Sequence, residues 1–206
     1  MTQLNRTLAT ALVIACAALS PAPARPQASS ANLSAQEREM LALANDLSRK
    51  CSAVMEKWIA SKEISEERLF SFLYYPIANT DPPKFSTDYD RFSDRDIQAL
   101  EEAVMSKSSA IIYAVIVDKN GYIPTHNLKF SQPLTGNRAV DILNNRTKII
   151  HNHQVGLTAG RSEAPFIFQQ YKRDTGEVLP EVAVPVTVRG QHWGAIRIGY
   201  RPMDPS

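Results

Sequence analysis

Cysteine is scarce in this sequence: the 206 residues include only Cys16 and Cys51. A mature chain cut beyond Cys16 keeps Cys51 alone, which excludes an intrachain disulfide and leaves Cys51 to read as a buried apolar residue of a helix. Neither cysteine stands in a CxxC or CxxCH motif, so no paired zinc ligands and no covalent haem attachment are written here. Runs of basic residues are missing too. The 23 Lys and Arg are interspersed with 21 Asp and Glu, giving a formal charge of +2 and no cationic stripe for a nucleic acid. There is no GxSxG, no HExxH and no phosphate-binding glycine loop, so neither enzyme activity nor a cofactor is expected. No βαβ alternation is visible, which argues against doubly wound and α/β-barrel folds.

Long hydrophobic runs are also lacking. The one candidate is residues 7–20, an apolar stretch of 14 preceded by Arg6, too short to span a bilayer but suited to a signal peptide. Ala22-Pro23-Ala24 fits a small-x-small cleavage site, giving a signal peptide over 1–24 and a linker over 25–33. Val13-Ile14-Ala15-Cys16 resembles a lipobox, so a lipoprotein signal ending at residue 15 is an alternative, and an uncleaved anchor a third. All three place the domain in the periplasm or outside the cell.

What is present reads first as helix. Ser34 and Glu37 form a capping-box signature. Apolar residues then recur at Met40, Ala44, Leu47, Cys51, Val54 and Trp58, a spacing that predicts one long amphipathic helix over 34–62. Its stripe serves either as the face packed on the domain or as the seam of a homodimer. Short helices are expected near Ser65–Leu73 and after Ser93, with an ordered loop between them.

From Ala110 the pattern changes to strands. Residues 110–117 (AIIYAVIV) precede a D-K-N-G turn and a second segment, 121–126 (GYIPTH). A long excursion over 127–163 follows, with a helical turn or two around Asp141–Ile150. Three more strands come from PFIFQQYK, VLPEVAVPVTV and HWGAIRIGY. The expected fold is α+β: helices over 34–107 leading into a five-stranded antiparallel sheet over 110–201, in a single domain over 34–206.

The segments DKNGYIPTHNLKFSQPLTGN, NRTKII, FQQYKRDTGEV and GQHWGAIRIGY, in that order, resemble the sensory region of bacterial methyl-accepting chemotaxis proteins. The resemblance is strongest over residues 110–201 and implies a Cache-type, PAS-like fold with a small ligand held between the sheet and the excursion. It also implies a role in signal sensing of the chemotaxis type, with a membrane receptor or kinase as partner. Relatives carry a membrane helix and a signalling coiled coil, whereas this sequence ends at Ser206, so a detached ligand-binding domain is expected. Relatives also carry an aromatic and acidic pair where this chain has His151-Asn152-His153.

Strand alternation nominates the ligand contacts. Trp193, Ala195 and Arg197 share one face of the last strand, and Ile167, Gln169 and Tyr171 one face of the third. Val182, Val184, Val186 and Val188 read as core. Arg146 and Arg197 are the preferred anchors for an anionic ligand, since guanidinium pairs with carboxylate through two parallel hydrogen bonds. Arg146 could instead bridge to Asp174 or Glu177, and Arg197 could face solvent. His126 is expected to brace the THN turn and face the pocket. The ligand set is therefore His126, Arg146, Gln169, Tyr171, Trp193 and Arg197. A periplasmic metal- or haem-handling protein using His151 and His153 is the alternative, because two histidines at i and i+2 reach one ion from an extended segment. A third reading is an interaction domain whose pocket is filled by its own side chains.

Overall fold

A computed structural model describes residues 32–173 and 176–203. The expected leader, the Cys16 lipidation signal, most of the 25–33 linker and Asp174 lie outside the described residues.

Helix α1 (Ala35–Ala60) begins at the capping box: the Glu37 N–H donates to Ser34 Oγ at 3.1 Å, and the Ser34 N–H to Glu37 Oε2 at 2.7 Å. Such a cap stabilises a helix end by about 1 kcal/mol. Met40, Ala44, Leu47, Cys51 and Trp58 are buried, and Met55 takes the place expected of Val54, which is half-buried. This stripe packs across the domain's own sheet, and Cys51 is one of its apolar members. A single turn, α2 (Glu66–Leu69), is capped by Ser65 Oγ. The expected loop contains a small hairpin of β1 (Tyr75–Ile77) and β2 (Lys84–Ser86). A helical stretch then runs from α3 (Asp90–Phe92) through a π-helical turn (Ser93–Ile97) into α4 (Gln98–Met105). No helix among the described residues is long and apolar enough to cross a membrane.

Strand β3 (Ile111–Asp118) leads into the excursion, which carries α5 (Arg138–Asn144) and α6 (Gln154–Arg161). Asn137 Oδ1 caps α5, and His153 Nδ1 caps α6 by accepting the Gly156 N–H. Then come β4 (Ile167–Lys172), β5 (Val178–Val188) and β6 (Gln191–Tyr200), and the sheet order is β3-β6-β5-β4, all antiparallel. Val182, Val184, Val186 and Val188 of β5 meet Trp193, Ile196, Ile198 and Tyr200 of β6 under α1. Each such fully buried side chain contributes about 1.5–3 kcal/mol.

The sheet thus has four strands where five were expected, and β1 with β2 forms a separate two-stranded piece. Residues 121–126 are the missing strand. The D-K-N-G turn closes, with Gly121 N–H donating to Asp118 O and Asp118 N–H to Tyr122 O, both at 3.0 Å. Beyond it the chain pairs with the end of the excursion instead: Ile123 N–H to Ile149 O at 3.0 Å, Lys148 N–H to Ile123 O at 2.8 Å, and His151 N–H to Gly121 O at 2.8 Å. Meanwhile side chains occupy the outer edge of β3. Ala114 N–H donates to Asn127 Oδ1 and Ile116 N–H to Glu101 Oε1, each at 2.9 Å. These donors are therefore unavailable to a fifth strand.

Candidate functional site

The face of the sheet turned away from α1 meets the excursion, and a cavity lies between them. The sheet contributes Tyr113, Val115, Tyr171 and Arg197 to its lining, the 121–126 segment Ile123 and His126, and the excursion Phe130, Arg146 and His151. Arg173 closes one side from the β4–β5 turn. The space is about 360 Å³ with its mouth included, yet the centre of a water molecule can move within only about 20 Å³. That is room for a water or for the charged end of a small molecule.

Main-chain ties set the excursion's side of the site. Arg146 N–H donates to Phe130 O at 2.7 Å, and buried Lys84 reaches across from β2 to donate to Asn145 O at 3.1 Å and Thr147 O at 2.7 Å. Lys84 thereby grips the carbonyls on either side of Arg146. Burial, reinforced by Arg146 and Lys148, pulls its ammonium pKa down to about 8. At Gly121 (φ +84°) an added Cβ would stand 2.4 Å from His151 O, so a glycine is required for this segment to lie against His151.

His126 is almost wholly buried at 3 % exposure. Its Nδ1 accepts the N–H of its neighbour Asn127 at 2.8 Å, so the neutral ring carries its proton on Nε2, for which no acceptor is found among the described residues. Burial, then the charge of Arg146, hold its pKa well below the usual histidine range. His151 is depressed for the same two reasons. His153 stacks on Tyr171 at 5.4 Å between ring centroids. Arg146 donates from Nη1 to Ile142 O and from Nη2 to Tyr171 Oη, both at 3.1 Å. Glu177 pairs with Arg173 and with Arg201, each at 3.0 Å.

Arg197 is neither solvent-facing nor unpaired. Its Nε donates to both Glu181 oxygens at 3.0 Å and its Nη2 to Oε2 at 2.7 Å. The Tyr113 hydroxyl also donates to Glu181 Oε2, and Gln169 Nε2 donates to Oε1 at 2.7 Å. Gln169 therefore stands one step behind the cavity, holding the carboxylate that holds Arg197. Arg197 presents its remaining nitrogen, Nη1, without an acceptor among the described residues.

Of the six nominated contacts, His126, Arg146, Tyr171 and Arg197 line the one cavity. Trp193 does not. It belongs to the opposite face, fully buried under α1, with its indole N–H donating to Leu69 O at 3.2 Å. The ladder explains why: Val186 opposes Gly194 but Thr187 opposes His192, so an extra residue bulges out at Trp193. Alternation extrapolated from Arg197 back through that bulge assigns the wrong face.

No group of three metal-binding side chains is found among the described residues. His151 and His153 stand 5.8 Å apart between ring centroids, with His153 Nδ1 already occupied as a helix cap. Tyr113, Glu181 and Phe130 were not nominated from sequence. Tyr113 is hidden in a continuous apolar run, but Glu181 carried a signal: it is the one charged residue in VLPEVAVPVTV, on the face opposite the valine stripe.

No protein-family model matches the chain, and no curated protein is similar enough to match it. Among solved structures it is similar to an extracellular ligand binding receptor from Desulfohalobium retbaense DSM5692, at 15% identity and a TM-score of 0.33. The alignment covers 81% of this chain and 26% of that one, so the chain spans about a quarter of the receptor's length. A superposition that loose bears on neither fold detail nor ligand.

Proposed function

We propose that this is an exported, Cache-like ligand-capture domain that takes a small anion in the cavity between sheet and excursion and reports occupancy to a membrane receptor or kinase. The observation that supports it is the donor set. His126 Nε2 and Arg197 Nη1 have no acceptor among the described residues, and Arg146, Arg173 and Arg197 surround a space the size of a carboxylate group. An anion there gains charge-assisted hydrogen bonds in a site of low dielectric. The reading is of a binder without catalysis. The buried carboxylate beside the cavity, Glu181, is held by Arg197, Tyr113 and Gln169, which leaves it poorly placed to move protons. Export rests on the leader-like residues 1–24.

Thermal-shift titration of the purified chain with formate, acetate, phosphate and sulfate tests this reading. Stabilisation by at least one of these anions, lost in His126→Phe, is the expected result. A well-folded protein that none of them stabilises would remove the basis for it.

A further inference from the structure

Two of the cavity's lining residues have a second role. Arg146 and His151 also line an outer cleft, together with Pro82, Ile142, Ile149 and Arg138. The centre of a water molecule can move through about 410 Å³ of this cleft, against about 20 Å³ in the inner cavity. The two spaces meet at Arg146 and His151. The inner lining is rich in hydrogen-bond donors; in the cleft Pro82, Ile142 and Ile149 offer an apolar surface.

We infer that the ligand is an amphipathic monocarboxylate whose carboxylate enters the inner cavity between His126 and Arg197 while its apolar body lies in the outer cleft on Ile142, Ile149 and Pro82. This rests on the anion reading above and narrows it.

Two features support this class over others. The inner space is too small for more than the charged end of a ligand, and Arg146 and His151 are the lining residues it shares with the roomier cleft. Finally, the cleft's other cation, Arg138, is already bonded by Asp81 at 2.9 Å, which leaves a second carboxylate without a ready partner there. Apolar area removed from water in the cleft is then the main source of selectivity among carboxylates.

The test is calorimetric titration of the full chain with acetate, benzoate, phenylacetate, succinate and phosphate, repeated on Ile149→Asn and Ile142→Ser. Benzoate or phenylacetate is expected to bind at least about tenfold tighter than acetate. Either variant should reduce that advantage by about tenfold while leaving acetate affinity within about twofold. Two substitutions are used because both positions are half-buried, and circular dichroism identifies a variant that has not folded. Equal affinity for acetate and the aromatic acids, or preference for succinate or phosphate, overturns this inference and leaves anion binding standing. Failure of every probe, acetate and phosphate included, removes the anion reading itself.

Discussion

Glu181 on β5 and Arg197 on β6 face each other diagonally across two paired strands, their side chains joined at 2.7–3.0 Å and both almost wholly buried. Glu181 lies directly opposite Gly199, and Ala183 opposite Arg197. The small residues at those two partner positions leave the ion pair room on the sheet's surface. The pair also fixes which guanidinium nitrogen faces the cavity, so fold and site depend on the same two side chains.

Breaking this pair on one side leaves a buried charge unanswered. Glu181→Ala is expected to destabilise the domain by about 3–5 kcal/mol in urea unfolding. The double replacement Glu181→Leu with Arg197→Met should recover most of that stability. It should not recover anion binding. Equal stabilities of the single and double variants would show that the ion pair contributes little.

Gly199 has a second neighbour. A Cβ there would lie 2.3 Å from the Tyr113 ring, which is buried and bonded to Glu181. Gly199→Ala should cost about 1–3 kcal/mol by forcing that ring aside. Combined with Tyr113→Val, it should cost much less than the sum of the two single changes, as contacting residues do.

The buried histidines make stability depend on pH. The folded-state pKa values of His126 and His151 lie below the ordinary value, so the unfolded chain takes up protons that the folded chain refuses. Their contribution is complete above about pH 6.5 and declines as the pH falls below it. Urea midpoints measured from pH 7 to pH 5 should drop less steeply for His126→Gln with His151→Gln than for the parent. An anion in the cavity favours the charged rings, so carboxylate affinity should rise over the same downward interval.

Glu101 has the opposite dependence. Burial lifts its carboxyl well above the usual range, so the unfolded chain releases a proton that the folded chain retains. Stability from this residue is present at low pH and is lost as the pH rises past about 4.5. Glu101→Gln keeps an acceptor for the Ile116 N–H. It should therefore melt higher than the parent at pH 8, with the difference shrinking towards pH 4.

Trp193 distinguishes the two faces of the sheet. Trp193→Ala should cost about 3–5 kcal/mol through the cavity it opens beneath α1. The milder Trp193→Phe should leave acetate affinity unchanged. A selective loss of binding in Trp193→Phe would put the indole back at the ligand site.

The readable parts of this fold were those set by local periodicity. Ser34 with Glu37, the α1 stripe, and the valines of β5 each follow from spacing alone, and all but Val54, whose buried place Met55 takes, lie where that spacing puts them. The strand count failed because nothing local distinguishes a fifth strand at 121–126 from a segment that pairs with Lys148–His151. Only the side chains of Glu101 and Asn127, brought to β3 by tertiary contacts, decide that outcome. Bulges caused the rest of the difficulty. The ladder shifts near Ile112, inside an uninterrupted apolar run that carries no mark of it, and again at Trp193. The helical turn or two expected around Asp141–Ile150 meets only α5, which ends at Asn144, and α6 has no counterpart in that reading, because Asn137 and His153 as caps are ordinary loop residues until the backbone turns on them.

The covered margin of β3 bears on how the protein behaves in a crowded compartment. An incoming strand from another molecule would need the amide hydrogens of Ala114 and Ile116, and Asn127 and Glu101 already hold both. Strand-by-strand growth of an aggregate therefore has no foothold on that flank. Within this sheet the opposite flank, β4, is paired on one side only, so any runaway polymerisation would have to start there. Two buried polar side chains thus give the sheet a direction, with one end closed to its own kind and one end open.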